Sequence, residues 1–298
     1  MSPRRPVHDE VLLGDNLPLL EGFADETFQL IYIDPPFNTG KRQSRRTLQT
    51  TTDCDGGDRT GFGGRRYATR LLAESSYADT FGDYLGFLGP RLEQARRLLT
   101  RSGTFYLHVD PREAHYCKLA LDELFGRECF LNEIVWSYDF GARSKHRWPA
   151  KHDTILVYVK TEGEHFFDAE AVDREPYMAP GLVTAEKAAR GKLPTDVWWH
   201  TIVPTNGREK TGYPTQKPEG VLRRIVRASS APGDWCLDFF AGSGTLGAVA
   251  QQEGRRYVLI DESPEAVTVM RRRLHNDVGT ADDRRPPRAS DAAGIYLR

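Results

Sequence analysis

Two short stretches hold the residue types that could do chemistry. In residues 31–40 (IYIDPPFNTG) an apolar run ends abruptly in Asp34, Pro35, Pro36 and Phe37. The prolines fix their own φ and restrict the residue before them. A carboxylate, the neighbouring carbonyls and a flat aromatic face therefore leave the strand on a stiff backbone. In residues 237–250 (LDFFAGSGTLGAVA), Asp238 closes a second strand, and Phe240 precedes a turn built from Gly242, Ser243 and Gly244. Thr245 then opens a helix. Glycines at such a turn let the backbone pass close to a ligand. About twenty residues beyond Asp238, YVLIDESP ends another strand with Asp261, an acid placed to accept from both hydroxyls of a ribose. The turn lacks the lysine of a P-loop and the full spacing of a dinucleotide fold. An adenosyl ligand without phosphates fits better than NAD or ATP, and a sulfonium on it is compatible with the nearby acids and Phe240. The plain alternatives are a tight turn without ligand at 241–244 and a strand-capping turn at 34–37.

These residues need a scaffold, and the rest of the chain supplies the pattern of one. Strands are expected at 29–33, 104–109, 133–136, 154–159, 235–238 and 257–260. Leu85, Leu88, Leu92, Ala95 and Leu99 recur at spacings of three and four, marking one helix face. Ser263-Pro264 starts another helix, with Val267, Met270 and Leu274 facing inward. Strands alternating with helices predict an α/β fold with a largely parallel sheet covered on both sides. Two segments break the rhythm: 41–76, basic and glycine-rich and read as a long loop, and 161–212, with little periodicity but a Trp198-Trp199 pair. Residues 276–298 read as a flexible tail.

Composition excludes several classes. The chain has 298 residues and is 39% hydrophobic, enough for a sizeable core. No apolar run approaches the ~18 residues of a membrane span, and the N-terminus lacks a signal-peptide pattern. A cytoplasmic protein, associated with the nucleoid if it binds DNA, is the expectation. Cys54, Cys117, Cys129 and Cys236 form no C-x-x-C pair, so neither a zinc motif nor a disulfide framework is expected. The net charge of −1 does not announce a nucleic-acid binder. Locally the balance differs: residues 41–70 carry eight basic side chains against three acids.

D-P-P-F at 34–37 followed by D-F-F-A-G-S-G-T at 238–245 resembles the beta group of the S-adenosylmethionine-dependent DNA amino-methyltransferases, in which the catalytic motif precedes the cofactor motif. YPTQKPEGVLRRIV (213–226), LLGDN (12–16), SGTFYLHVD (102–110), NEIVW (132–136) and KHDTILVYVK (151–160) resemble further blocks of that family. Phe239 and Leu246 depart from its commoner proline and threonine. The resemblance implies a Rossmann-like fold: a mostly parallel, doubly wound sheet with a small inserted target-recognition region. Residues 1–160 would form the catalytic half with a mobile basic loop at 41–76, 161–212 the recognition region, and 213–275 the cofactor half. It implies S-adenosylmethionine as cofactor and no metal. It also puts Asp15 at the cofactor's adenine and Thr215, Gln216 and Lys217 at its methionine end. Asp15 as a helix cap and Lys217 as a solvated surface residue are the mundane rivals.

The implied chemistry explains the odd tetrapeptide. An exocyclic amine of adenine or cytosine is a poor nucleophile because its lone pair is delocalised into the ring. The Asp34 carboxylate and the Pro35 carbonyl would accept its two hydrogens and free that pair, while Phe37 stacks on the base. The substrate is then double-stranded DNA with its target base extruded. Lys41, Arg42, Arg45, Arg46, Arg65 and Arg66 would contact phosphates, as would Arg143, Lys145 and Arg147 of a second cluster. Asn206 and Arg208 would read base edges, alongside Trp198 and Trp199. Asp34, where N4-cytosine enzymes commonly carry serine, favours N6 of adenine over N4 of cytosine. The competing classes are a catalytically silent DNA-binding homologue and methyl transfer to RNA or a protein amide. A homodimer and an accompanying restriction endonuclease are further expectations of the resemblance.

Overall fold

The computed structural model describes residues 3–37, 41–52, 59–60, 66–79, 83–141 and 143–276. Its centre is an eight-stranded sheet built from β1 (Glu10–Leu13), β2 (Phe28–Ile33), β6 (Leu99–Val109), β7 (Phe130–Ser137), β8 (His152–Val159), β9 (Val197–Trp199), β10 (Trp235–Asp238) and β11 (Arg256–Asp261). The order across it is β1-β11-β10-β2-β6-β8-β7-β9. Pairings from β1 to β6 are parallel, β8 runs antiparallel to both β6 and β7, and β9 is parallel to β7. Every residue of β2 is buried, which is why FQLIYI reads as an unbroken apolar run rather than an alternation.

Helices cover both faces, as the alternating pattern predicts. On one side α1 (Asn16–Glu21), α2 (Tyr84–Leu98) and α3 (Ala114–Phe125) enclose a core with Phe23, Leu88, Leu92, Phe105 and Phe125. The Phe105 and Phe125 rings stack at 5.6 Å. On the other side α5 (Glu219–Ser229), α6 (Thr245–Gln252) and α7 (Pro264–Asn276) bury Leu222, Ile225, Leu246, Val267, Met270 and Leu274. Asp83 caps α2 by accepting from Gly86 N at 2.7 Å. No helix among the described residues is long and apolar enough to cross a membrane.

The expected strands all form, most of them longer than the sequence pattern suggested. Two segments differ from expectation. The stretch read as a loop at 41–76 instead carries a ladder: β3 (Lys41–Thr52) pairs antiparallel with β5 (Arg66–Asp79), and β4 (Arg59–Thr60) adds to β5. Threonines and other strand-compatible residues along 41–52 and 66–79 sustain this pairing despite the charge. Residues 161–212 contribute β9 to the main sheet and a short helix, α4 (Ala185–Arg190). Asp168 N donates to Ala228 O at 2.8 Å, and Arg224 and Arg227 of α5 pair with Glu175 and Asp173. That segment is therefore laced onto the sheet and α5.

The critical adjacency is between β2 and β10, where Leu30 lies opposite Cys236 and Ile31 opposite Leu237. Ile31 is fully buried between these strands and the α2 side of the core. Ile31→Ala is expected to lower unfolding free energy by about 2–5 kcal/mol in urea titrations, the range for truncating a core aliphatic. A loss below about 0.5 kcal/mol would mean that this position is not part of a close-packed core.

Candidate active site

Because β2 and β10 are parallel neighbours, both leave the sheet at the same edge. Asp34 and the 239–244 turn thus emerge side by side. Pro35 is buried, and Asp34, Pro36 and Phe37 are half-buried. Asp34 Oδ2 is held by the ammonium of Lys217, which arrives on the segment just before α5. The same ammonium lies 5.1 Å from the Phe37 ring centroid. The other carboxylate oxygen, Oδ1, is buried and has no hydrogen-bond partner among the described residues. A buried acceptor left open at the mouth of a site is a strong cue for a missing donor.

Behind the tetrapeptide runs a buried polar chain. Tyr32 OH lies 2.7 Å from His108 Nδ1, His108 Nε2 lies 3.1 Å from Asp153 Oδ2, and Tyr138 OH donates to Asp153 Oδ1 at 3.1 Å. Burial, then the carboxylates of Asp34, Asp238 and Asp153, push the Tyr32 phenol well above its ordinary value. A protonated phenol donates to Nδ1, which assigns the ring proton to Nε2 and directs it at Asp153. Burial alone would raise Asp153, but the hydrogen bond from His108, with the charge of Lys217 and the hydrogen bond from Tyr138, leaves it below the usual carboxylate range. His108, thus fixed, packs against Phe37 at 5.8 Å and edge-on to Trp136 at 5.5 Å. The chain sets the position of the Phe37 ring.

The glycine turn is built just as tightly. Gly242 and Gly244 sit at φ of 51° and 72°, in the left-handed region. A Cβ on Gly244 would come within 2.7 Å of Met270 Cγ. Asp261, at the end of β11, accepts from Gly242 N at 2.8 Å and from Ser263 N at 2.9 Å. A carboxylate offers about four lone-pair sites, so two remain for a ligand. Burial raises the Asp261 carboxyl above its ordinary value. Burial also drives Asp238 well up, reinforced by the charges of Asp34 and Asp261, while its Oδ1 accepts from Phe240 N at 3.0 Å. The edge therefore collects three acids around one glycine turn. Phe240 is half-buried against Phe87 and Phe239. Ser243 is buried, with its hydroxyl 3.2 Å from that of Thr245, and Thr245 Oγ1 donates to Lys217 O at 3.2 Å.

The other predicted residues fall in different places. Asp15 caps α1 by accepting from Leu17 N at 3.1 Å and pairs with Arg91 at 3.0 Å, with its side chain 57% exposed. Gln216 is spent inside its own turn, accepting from Thr211 N and donating to Glu209 O. Thr215 is exposed. Lys217, expected at the cofactor's methionine end, reaches Asp34. Arg143, Lys145, Arg147, Asn206 and Arg208 are exposed. Lys41, Arg42, Arg45, Arg46 and Arg66 lie on the β3/β5 ladder, and Arg65, Cys54 and residues 277–298 lie outside the described residues. Trp198 is core, only 8% exposed, with the Arg224 guanidinium 5.4 Å from its ring, whereas Trp199 is 68% exposed. Burial pushes the Cys117 and Cys236 thiols up to about 12, so neither is a ready nucleophile.

Several contributors escaped the sequence reading. Asn16 donates to Phe239 O at 2.6 Å and accepts from Arg91 Nε at 2.6 Å, tying the residue after Asp15 to the glycine turn. Arg273 bridges Ser243 O, Thr245 Oγ1 and Glu219. Tyr32 and His108 were hidden inside runs read as strands, and Asp153 stands one residue before such a run. The available signal was polar groups within otherwise buried strands, which must find partners.

Comparison with known proteins agrees with this geometry. Residues 28–272 match the N6/N4 methyltransferase family, described as DNA methylase. The DNA adenine methyltransferase YhdJ of Escherichia coli (strain K12) is 31% identical over 272 residues, spanning 89% of this chain and 82% of the relative. Among solved structures, the PvuII DNA methyltransferase (cytosine-N4-specific) superposes with a TM-score of 0.61 at 17% identity, covering 91% of this chain and 89% of that one. The M1.HpyAVI–SAM complex gives 0.57 at 18% identity, covering 89% of this chain and 98% of that one. At those identities the structural likeness shows the shared fold. The family match over most of the chain, together with the E. coli relative, shows more: this protein belongs to the N6/N4 DNA methylase family.

Proposed function

We propose that this chain transfers a methyl group from S-adenosylmethionine to N6 of adenine, in double-stranded DNA whose target base has been extruded. The observation that carries it is Asp34 Oδ1, a buried carboxylate oxygen without a partner among the described residues, beside a turn whose Gly242 N is held by Asp261. The donor and acceptor set suits the cofactor. Asp261 keeps lone pairs for ribose hydroxyls, the positive-φ glycines keep side chains out of the turn, and the three acids tolerate a cation. When bound, S-adenosylmethionine supplies an activated methyl on a positively charged sulfur.

The residues then divide the work. Lys217 holds Oδ2 and leaves Oδ1 as the oxygen that accepts one amine hydrogen. The Pro35 carbonyl, on a backbone stiffened by two prolines, accepts the other. Drawing both hydrogens out of the ring plane would localise the nitrogen lone pair. As the new N–C bond forms, the methyl's bond to sulfur would break to leave a neutral thioether, and one amine hydrogen would depart as a proton from beside Asp34 Oδ1. Phe37 stacks on the extruded base, and the Tyr32–His108–Asp153 chain fixes that ring, so orientation is set before substrate arrives. Extrusion costs a few kcal/mol, met by stacking and by phosphate contacts from basic residues on the β3/β5 ladder and in 143–147. Adenine is favoured by Asp34 at the head of the tetrapeptide and by the adenine-methylating E. coli relative. Residues 161–212 are the proposed site of sequence reading, through Asn206 and Arg208.

Expression in a methylation-free host followed by single-molecule sequencing tests the whole reading. N6-methyladenine at one recurrent sequence is expected, and N4-methylcytosine alone would overturn the choice of base. Asp34→Ala is expected to cut methylation by at least about 10²–10³-fold while leaving cofactor affinity near wild type. Retained activity would remove the carboxylate from the mechanism.

Asp261 makes a separate prediction. Ribose hydroxyls donate to its ionised form, and its carboxyl is raised in the folded protein. Cofactor affinity should therefore fall on acidification at a pH above the ordinary carboxylate range. Calorimetry between about pH 4 and 7 should show this limb in the wild type. Asp261→Asn should bind about ten- to hundredfold more weakly, with affinity flat over that window. An acidic limb that persisted in the variant would assign it to another group, Asp238 first.

A further inference from the structure

β7 and β8 join through a turn that stands at the active-site edge. Ser137 pairs with His152, and Tyr138 N donates to Lys151 O at 3.1 Å just beyond the ladder. The base of this turn is bound to the site itself. Tyr138 reaches Asp153, Asp153 reaches His108, and His108 packs on Phe37. Lys151 Nζ pairs with Asp139 at 2.7 Å, and Asp139 and Gly141 take positive φ to reverse the chain. Further on, Ser144 Oγ accepts from both His146 N and Arg147 N at 3.2 Å, which folds 144–147 into a compact tip.

Trp148 follows this tip and is 95% exposed. A side chain of that size, held in water on a shaped loop, forgoes the burial that tryptophan normally finds. Pro149 restricts the backbone of Trp148 toward extended geometry. The exposed neighbours Arg143, Lys145 and Arg147 are all cationic. This pairing of one bare aromatic with three cations suits a polyanion that has stacked apolar layers inside it, which describes a nucleic-acid duplex.

We infer that Trp148 is a wedge that enters the duplex beside the target base and fills the gap left when that base moves to Phe37, with Arg143, Lys145 and Arg147 on the flanking phosphates. The inference deepens the proposed function and rests on it. Because the wedge loop and the His108–Phe37 support share Tyr138 and Asp153, insertion on one side and stacking on the other are held in fixed register.

The test uses the full chain and two duplexes carrying the sequence found methylated in the host. In one the target is paired normally. In the other it lies opposite an abasic position, so little stacking or pairing has to be broken. Trp148→Ala should slow single-turnover methylation of the paired duplex by about ten- to hundredfold, the size of one base–aromatic stack, and Trp148→Phe should recover most of it. On the abasic duplex Trp148→Ala should match wild type, and thermal melting should be unchanged. Wild-type rates for Trp148→Ala on the paired duplex would overturn the wedge. So would equal slowing on both duplexes, or a changed sedimentation coefficient marking Trp148 as a contact between copies. Wild-type protein inactive on both duplexes would instead refute the proposed function itself.

Discussion

The parallel pairing of β2 with β10 is short, Leu30 opposite Cys236 and Ile31 opposite Leu237, yet the active edge depends on it. It is the contact that brings a carboxylate and a glycine turn from distant parts of the sequence to one edge. The surrounding structure defends this adjacency. Asn16 clamps the Phe239 carbonyl from the N-terminal side, and Arg273 ties the turn to α5 and α7 from the other. Lys217 closes the circle by spanning from the approach to α5 to Asp34. Each link satisfies a polar group that would otherwise be stranded at a half-buried edge.

The electrostatics of that edge are deliberate in effect. Asp34, Asp238 and Asp261 crowd together, and burial lifts the latter two above the ordinary carboxylate range. Ionising them in the folded protein therefore costs stability at neutral pH relative to the unfolded chain. A ligand that brings hydrogen-bond donors and a positive charge offsets that cost, so the site is biased toward such a partner. The cation of Lys217 takes only one oxygen of one acid, which moderates the crowding without neutralising the site.

Much of this was legible in the sequence where the physics is local. The apolar runs of β2, β10 and β11 are continuous because central parallel strands are buried on both faces, and they ended where expected. Gly242, Gly244 and Asp261 announced a tight turn tied to the end of β11 through residue type and spacing alone. What stayed hidden was long-range. β9 has three residues and exists because β7 offers an edge. The 41–52 strand was masked by charge and by the glycines between it and its partner. Gln216 and Lys217 are adjacent in sequence, yet one is consumed by its own turn and the other crosses to Asp34. His108 is one polar residue within an apolar strand, and its partners Tyr32 and Asp153 come from two other parts of the chain.

The strand order carries a consequence for how the molecule comes into being on the ribosome. β2 emerges long before β10 and β11, and β1 also waits for β11. Until then one flank of β2 is an unpaired, wholly apolar edge, the kind of surface that recruits neighbouring nascent chains. Methylation competence cannot appear gradually during translation. It arrives only when β10 and β11 slot between β1 and β2, and a product terminated before them would be both inert and prone to clump.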